Sequence, residues 1–213
     1  MTLLCITAPC HTGKVPRSLD PAVRTAIVER AAAMLAARQP VTSRALVEGS
    51  GVSTMAVYTY FGGMAGVWRA VRQEGFTRLG RELAAVERTA DPVRDLAALG
   101  AAYLRVAADT PDLYRAMFDA AAELEDPEAA GAGLRELVGC AVRARDAGRF
   151  TADPEDVAVR LWAAGHGLAA LVATGVLPAE AVRAHGAELA VGTFLAAGDD
   201  PARCREAGAA GWG

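Results

Sequence analysis

The stretch Thr42-Ser43-Arg44-Ala45-Leu46-Val47-Glu48-Gly49-Ser50-Gly51-Val52-Ser53-Thr54-Met55-Ala56-Val57-Tyr58-Thr59-Tyr60-Phe61 reads as two short helices joined by a tight turn. Thr42 offers a side-chain oxygen to cap the first helix, whose inward positions are Leu46, Val47 and Ser50. Gly51 stands where the chain must turn sharply, at a positive φ that only a residue without a β-carbon adopts cheaply. Val52 plugs the turn from inside, and Ser53 is placed to cap the second helix. Val57 and Phe61, four residues apart, share that helix's inward face. Thr54, Met55, Tyr58 and Thr59 make the opposite face, with no acid among them. A short helix braced by its neighbour and presenting an acid-free face suits the DNA major groove.

Gly51-Val52-Ser53 followed by Val57-Tyr58-Thr59-Tyr60-Phe61 resembles the DNA-binding segment of the TetR family of bacterial transcriptional regulators, and the likeness runs from Val23 to Val71. Val47 departs from the small alanine usual there, which implies slightly wider helix spacing. Met64 departs from a lysine that generally meets a DNA phosphate. The resemblance implies an all-α homodimer that reads a palindrome-like site in double-stranded DNA and answers to a small-molecule effector of unknown identity. It implies DNA contacts from Thr42, Ser43, Arg44, Ser53, Thr54, Met55, Tyr58, Thr59 and Tyr60. Of these, Arg44, Tyr58 and Tyr60 suit phosphates, while Thr54 and Met55 suit base edges or a thymine methyl.

Composition agrees with a helical protein. Of 213 residues 53% are hydrophobic, alanine and leucine dominate, and no run alternates as a half-buried strand does. The chain is mildly acidic, with a formal net charge of −3, but the charge is unevenly spread. Residues 1–75 hold eight Lys/Arg against four Asp/Glu, and the remainder holds fourteen against twenty-one. A basic head on an acidic body draws phosphate to one end and keeps the other off the DNA. No apolar stretch reaches the roughly 18–20 residues of a membrane span without a charge, a proline or a glycine break. Residues 1–8 are apolar but lack a basic leader, so the expected location is the cytoplasm. Cys5 and Cys10 beside His11 are too weakly patterned for a metal site, and Cys5, Cys10, Cys140 and Cys204 read as free thiols. No metal or cofactor is expected.

Residues 1–19 form an arm in which Lys14 and Arg17 can reach a phosphate or the minor groove. A tail without any role is the other reading. Beyond it, Asp20-Pro21, Asp91-Pro92, Thr110-Pro111, Asp126-Pro127 and Asp153-Pro154 each set a capping oxygen before proline, which the first helical position tolerates. These starts divide the chain into a DNA-binding domain at 20–63, a ligand-binding and dimerisation body at 64–197 and a frayed tail at 198–213. The body begins with a long helix from Met64 to Glu87. Tilting that helix moves the recognition helix, which lets a ligand in the body alter DNA affinity. Gly66 and Gly75 either allow it to bend or allow close packing.

Two body features bear on function. Small residues recur four apart at Gly165, Ala169 and Ala173, and again at Gly186 and Ala190 with Phe194 beyond. Such stripes suit a four-helix dimer interface or tight packing within one chain. Trp162 and His166 share a helix face, and Trp162…His166-Gly167 resembles the Trp–His–Gly signature of one subgroup of the family's C-terminal domains. The expected effector pocket draws on Tyr103, Tyr114, Met117, Phe118, Trp162 and His166, residues that also suit a plain core. Two other functions stay open: an all-α enzyme acting through His166, though no nucleophile or acid lies near it in sequence, and a protein of this fold that has lost DNA binding.

Overall fold

A computed structural model describes residues 20–119 and 123–213. The expectations for Lys14, Arg17, Cys5, Cys10 and His11 lie outside these residues. The described chain is all-α. Its helices are α1 (Pro21–Ala36), α2 (Ser43–Val47), α3 (Met55–Phe61), α4 (Met64–Ala84), α5 (Pro92–Asp109), α6 (Pro111–Met117), α7 (Pro127–Asp146), α8 (Pro154–Ala173), α9 (Ala181–Ala196) and α10 (Pro201–Trp212).

The aspartate–proline device works as read. Asp20, Asp91, Asp126 and Asp153 each accept backbone N–H groups of the helix they precede. Thr110 does not, because its hydroxyl donates back to the Val106 carbonyl at 2.8 Å and closes the previous helix instead. The expected tail at 198–213 is corrected. Asp200-Pro201 repeats the device, Asp200 accepting from Ala202 and Arg203, and opens α10. This last helix lies along α5. A β-carbon at Gly211 would stand 2.3 Å from the Arg94 carbonyl, so glycine there permits the close contact.

Two hydrophobic clusters divide the molecule. The smaller joins Ile27, Val28, Ala31 and Met34 of α1 to Leu46, Val47, Val57 and Phe61. It also takes in Val67, Ala70 and Val71 of α4 and Leu113 of α6. The first half of α4 thus packs into the same cluster as α1, α2 and α3. The larger cluster surrounds α5, which touches α4, α7, α8, α9 and α10.

Candidate DNA-recognition face and effector cavity

In the paired short helices, Thr42 accepts the Ala45 N–H at 3.2 Å, and Gly51 has φ of 75°. Val57 is fully buried and Phe61 nearly so, while Met55 and Tyr58 are 66% and 62% exposed. Thr54, Thr59, Ser53 and Arg44 are exposed beside them, and Ser43 is half-buried. The outward face of α3 is thus acid-free as expected; the nearest acid in the chain, Glu48, lies in the preceding turn. Three details differ. Ser53 makes no side-chain cap on α3. Ser50 lies beyond the end of α2, where its hydroxyl donates to the Val47 carbonyl at 2.6 Å. Tyr60 is half-buried against the domain core, and its hydroxyl accepts the Asp20 N–H at 3.0 Å, so it anchors the start of α1 rather than sharing the Tyr58 face.

Thr59 commits its proton to the Met55 carbonyl at 2.9 Å, which leaves its methyl and lone pairs for a partner. The helix ends at Gly62 (φ 71°), whose N–H and that of Gly63 close on the Tyr58 and Val57 carbonyls. Met64 opens α4 packed against the domain core, so its position presents no cation.

The body holds a cavity of about 310 Å³ between α4, α5, α7, α8, α9 and the end of α10. Tyr103, Phe118 and Trp162 of the expected pocket line it. Met117 does not; it is 1% exposed and fills the space above Gly75. Tyr114 and His166 stand behind the wall. The Tyr114 hydroxyl lies 2.6 Å from Nδ1 of His166, the Tyr103 hydroxyl 3.0 Å from the same atom, and the two hydroxyls are 2.7 Å apart. Phe118 meets the His166 ring edge-on at 4.5 Å. Burial lowers the His166 pKa and favours the neutral ring. Burial likewise raises both phenols, so they stay protonated. His166 thus orients Tyr103 rather than reaching into the cavity. Sequence reasoning missed Trp212, which forms part of the lining and rests against Gly100 and Gly186. The Asp200-Pro201 pair was the signal for it.

The small-residue stripes expected at a dimer interface face inward. Ala169, Ala173, Ala190 and Phe194 are buried within the single chain, Gly186 lies under Trp212, and Gly165 sits beside Tyr103. A different stripe is exposed one step round α8, at Val159, Ala163, Gly167 and Leu171. On the adjoining α9 it is matched by His185, Leu189, Gly192 and Ala196.

Comparison with known proteins agrees with this geometry. The family model for the tetracyclin repressor-like C-terminal domain matches residues 96–203. Among solved structures, a protein of unknown function from Rhodococcus sp. RHA1 is 25% identical, with a TM-score of 0.67 over 83% of this chain and 97% of that one. The resorcinol complex of RolR is 17% identical, with a TM-score of 0.61 over 88% and 93%. PfmR from Thermus thermophilus, a TetR family regulator, is 19% identical, with a TM-score of 0.61 over 76% and 96%. Among curated proteins none matches significantly. A pair of short helices with an exposed acid-free face, a helical body with an apolar cavity and a family match over half the chain give one conclusion: the protein belongs to the TetR family of transcriptional regulators.

Proposed function

We propose that the protein is a cytoplasmic homodimeric repressor whose two α3 helices read a palindrome-like operator and which a small molecule in the body cavity releases. The observation that carries this is a set of contacts that ties the segment at the cavity's edge to the helices around α3. Phe118 lines the cavity at the start of the segment joining α6 to α7. Further along that segment, Glu125 takes the Arg24 guanidinium at 2.5 and 2.6 Å. Arg24 in turn lies 5.4 Å over the ring of Phe61, the last residue of α3. At the same joint the Arg72 Nε donates to the Met117 carbonyl at 2.7 Å. A ligand that displaces Phe118 therefore acts beside the Met117–Arg72 joint with α4, which packs against α3. In a dimer, recognition helices must lie about 34–36 Å apart to meet successive major grooves, so a small tilt is enough to lose the fit.

The test is binding of the purified protein to DNA flanking its own gene and to random DNA across a salt series. Selective binding that weakens steeply with salt is expected. Tyr58→Ala is expected to lower operator affinity about a hundredfold, since a dimer loses two charge-assisted contacts of about 1.5 kcal/mol each. Weak, equal binding to both DNAs, followed by no enriched site in a selection from random DNA, would favour a protein of this fold without DNA function.

Dimerisation is assigned to the exposed stripe. Gly167 and Gly192 have open space above them, so a second copy can approach closely. This also accounts for α8 being long and apolar enough to cross a membrane: one face serves the core and the other the partner. Gly167→Arg is expected to leave the protomer folded, since arginine favours helix by roughly 0.8 kcal/mol over glycine. The same variant should sediment as a monomer and bind the operator poorly. A variant that still sediments as a dimer would move the interface elsewhere.

A further inference from the structure

The lining of the cavity is more informative than its size. It contains leucine, phenylalanine, alanine and glycine, with Tyr103, Trp162 and Trp212 supplying its polar atoms. Among the described residues, neither a carboxylate nor any cationic side chain lines the cavity. A charge carried into such a space loses its hydration and gains no partner, so charged molecules are excluded. The volume sits at the small end of the roughly 300–1,000 Å³ typical of small-molecule sites.

The Tyr103 hydroxyl is held in place by the residues behind it. It lies 2.7 Å from the Tyr114 hydroxyl and 3.0 Å from Nδ1 of His166, which Tyr114 approaches to 2.6 Å. A phenol both donates and accepts, so a fixed Tyr103 can bond one polar group of a ligand. Of the three residues, Tyr103 is the one that lines the cavity.

Trp212 sets the cavity's width at the α10 end. A β-carbon at Gly186 would stand 2.3 Å from its Cζ2, and one at Gly100 would stand 3.5 Å from its Cζ3. Both glycines therefore make room for the indole, and Trp162 forms another aromatic part of the lining.

We propose that this cavity takes an uncharged, mainly hydrophobic molecule carrying one hydroxyl or N–H that hydrogen-bonds to Tyr103, with Trp162 and Trp212 as its aromatic walls. The proposal rests on reading the cavity as the effector site. Three probes share one skeleton and separate its parts: para-butylphenol, para-butylanisole and para-butylbenzoate. Binding to the full chain without DNA is followed by calorimetry and by tryptophan fluorescence. The phenol should bind about tenfold tighter than the ether, which lacks the hydroxyl, and the carboxylate should not bind. Tyr103→Phe should bring the phenol down to the ether's affinity and leave the ether unchanged, with the melting temperature confirming that the variant is folded. Trp212→Ala should weaken both neutral probes. Equal binding of phenol and ether, binding of the carboxylate, or binding of none of the three would overturn the proposal. Operator binding is measured separately. A protein that binds its operator but none of the probes refutes the ligand class and leaves the regulator standing. A phenol that binds without releasing DNA supports the ligand class and refutes the effector role.

Discussion

Gly66→Ala is expected to abolish operator recognition while leaving the body folded. Gly66 lies in the first turn of α4, directly under the end of α3. A β-carbon built there would stand 1.7 Å from the Phe61 carbonyl oxygen and 2.7 Å from its carbonyl carbon. Both are backbone atoms, so no rotamer change relieves the clash. Either α4 must lose its first turn or Phe61 must move, and Phe61 is the last residue of the recognition helix. Overpacking against a fixed wall costs about 1–3 kcal/mol, occasionally more. Displacing α3 also forfeits base contacts worth about 1–3 kcal/mol each. Affinity should therefore fall about a hundredfold or more. Fluorescence anisotropy with labelled operator checks this, beside circular dichroism melts. Gly139→Ala is the control: its β-carbon meets nothing within 4 Å, and it should bind as wild type does. Wild-type binding by Gly66→Ala would show that the α3–α4 joint yields without moving α3.

The same residue shows what a sequence withholds. Gly66 and Gly75 read equally as points of bending or of close packing, and only the neighbours decide. At both positions the neighbours favour packing, Phe61 backbone at one and Met117 at the other. Signals that are local in the chain were legible. The Thr42 cap, the Gly51 turn, the buried Val57 and Phe61 and four working aspartate–proline starts follow from residues within a few positions of each other. Asp200-Pro201 was equally local; the run of glycine, alanine and charges after it hid a helix whose stability comes from packing on α5. Choosing between faces of one helix was not legible. On α8 small residues occupy both the 165–169–173 and the 163–167 positions, so periodicity marks two stripes and tertiary packing selects which is inside. Tyr114 and His166 are the matching case for the cavity. Their chemistry pointed to the right region, but which hydroxyl faces the open space depends on three helices meeting.

Arg149→Ala should destabilise the body by about 3–5 kcal/mol, the usual cost of removing one partner from a buried ion pair. Arg149 lies in the turn between α7 and α8, and its side chain is 3% exposed. It grips Asp199, in the turn between α9 and α10, through two bonds of 2.6 and 2.7 Å. A third bond of 2.9 Å reaches Asp91, the cap of α5. One guanidinium thus ties three chain turns together at the end of the body. The bidentate geometry needs arginine, so Arg149→Lys should recover only part of the loss. Asp199→Ala should cost a similar amount, and the double variant should cost clearly less than the sum of the singles. Urea denaturation followed by circular dichroism provides these values, and additive losses would show that the pair is not coupled. Acid should weaken the same staple. Burial alone would raise the Asp91 pKa, but the N–H groups of Val93 and Arg94 together with Arg149 outweigh it and hold the carboxyl below its ordinary 3.8. A pKa lower in the folded than in the unfolded state means that Asp91 binds its proton less readily when folded. Its contribution is therefore complete above about pH 4 and is lost as pH falls through the lowered folded value. Wild type should lose stability over that range more steeply than Arg149→Ala, in which the contact is already gone.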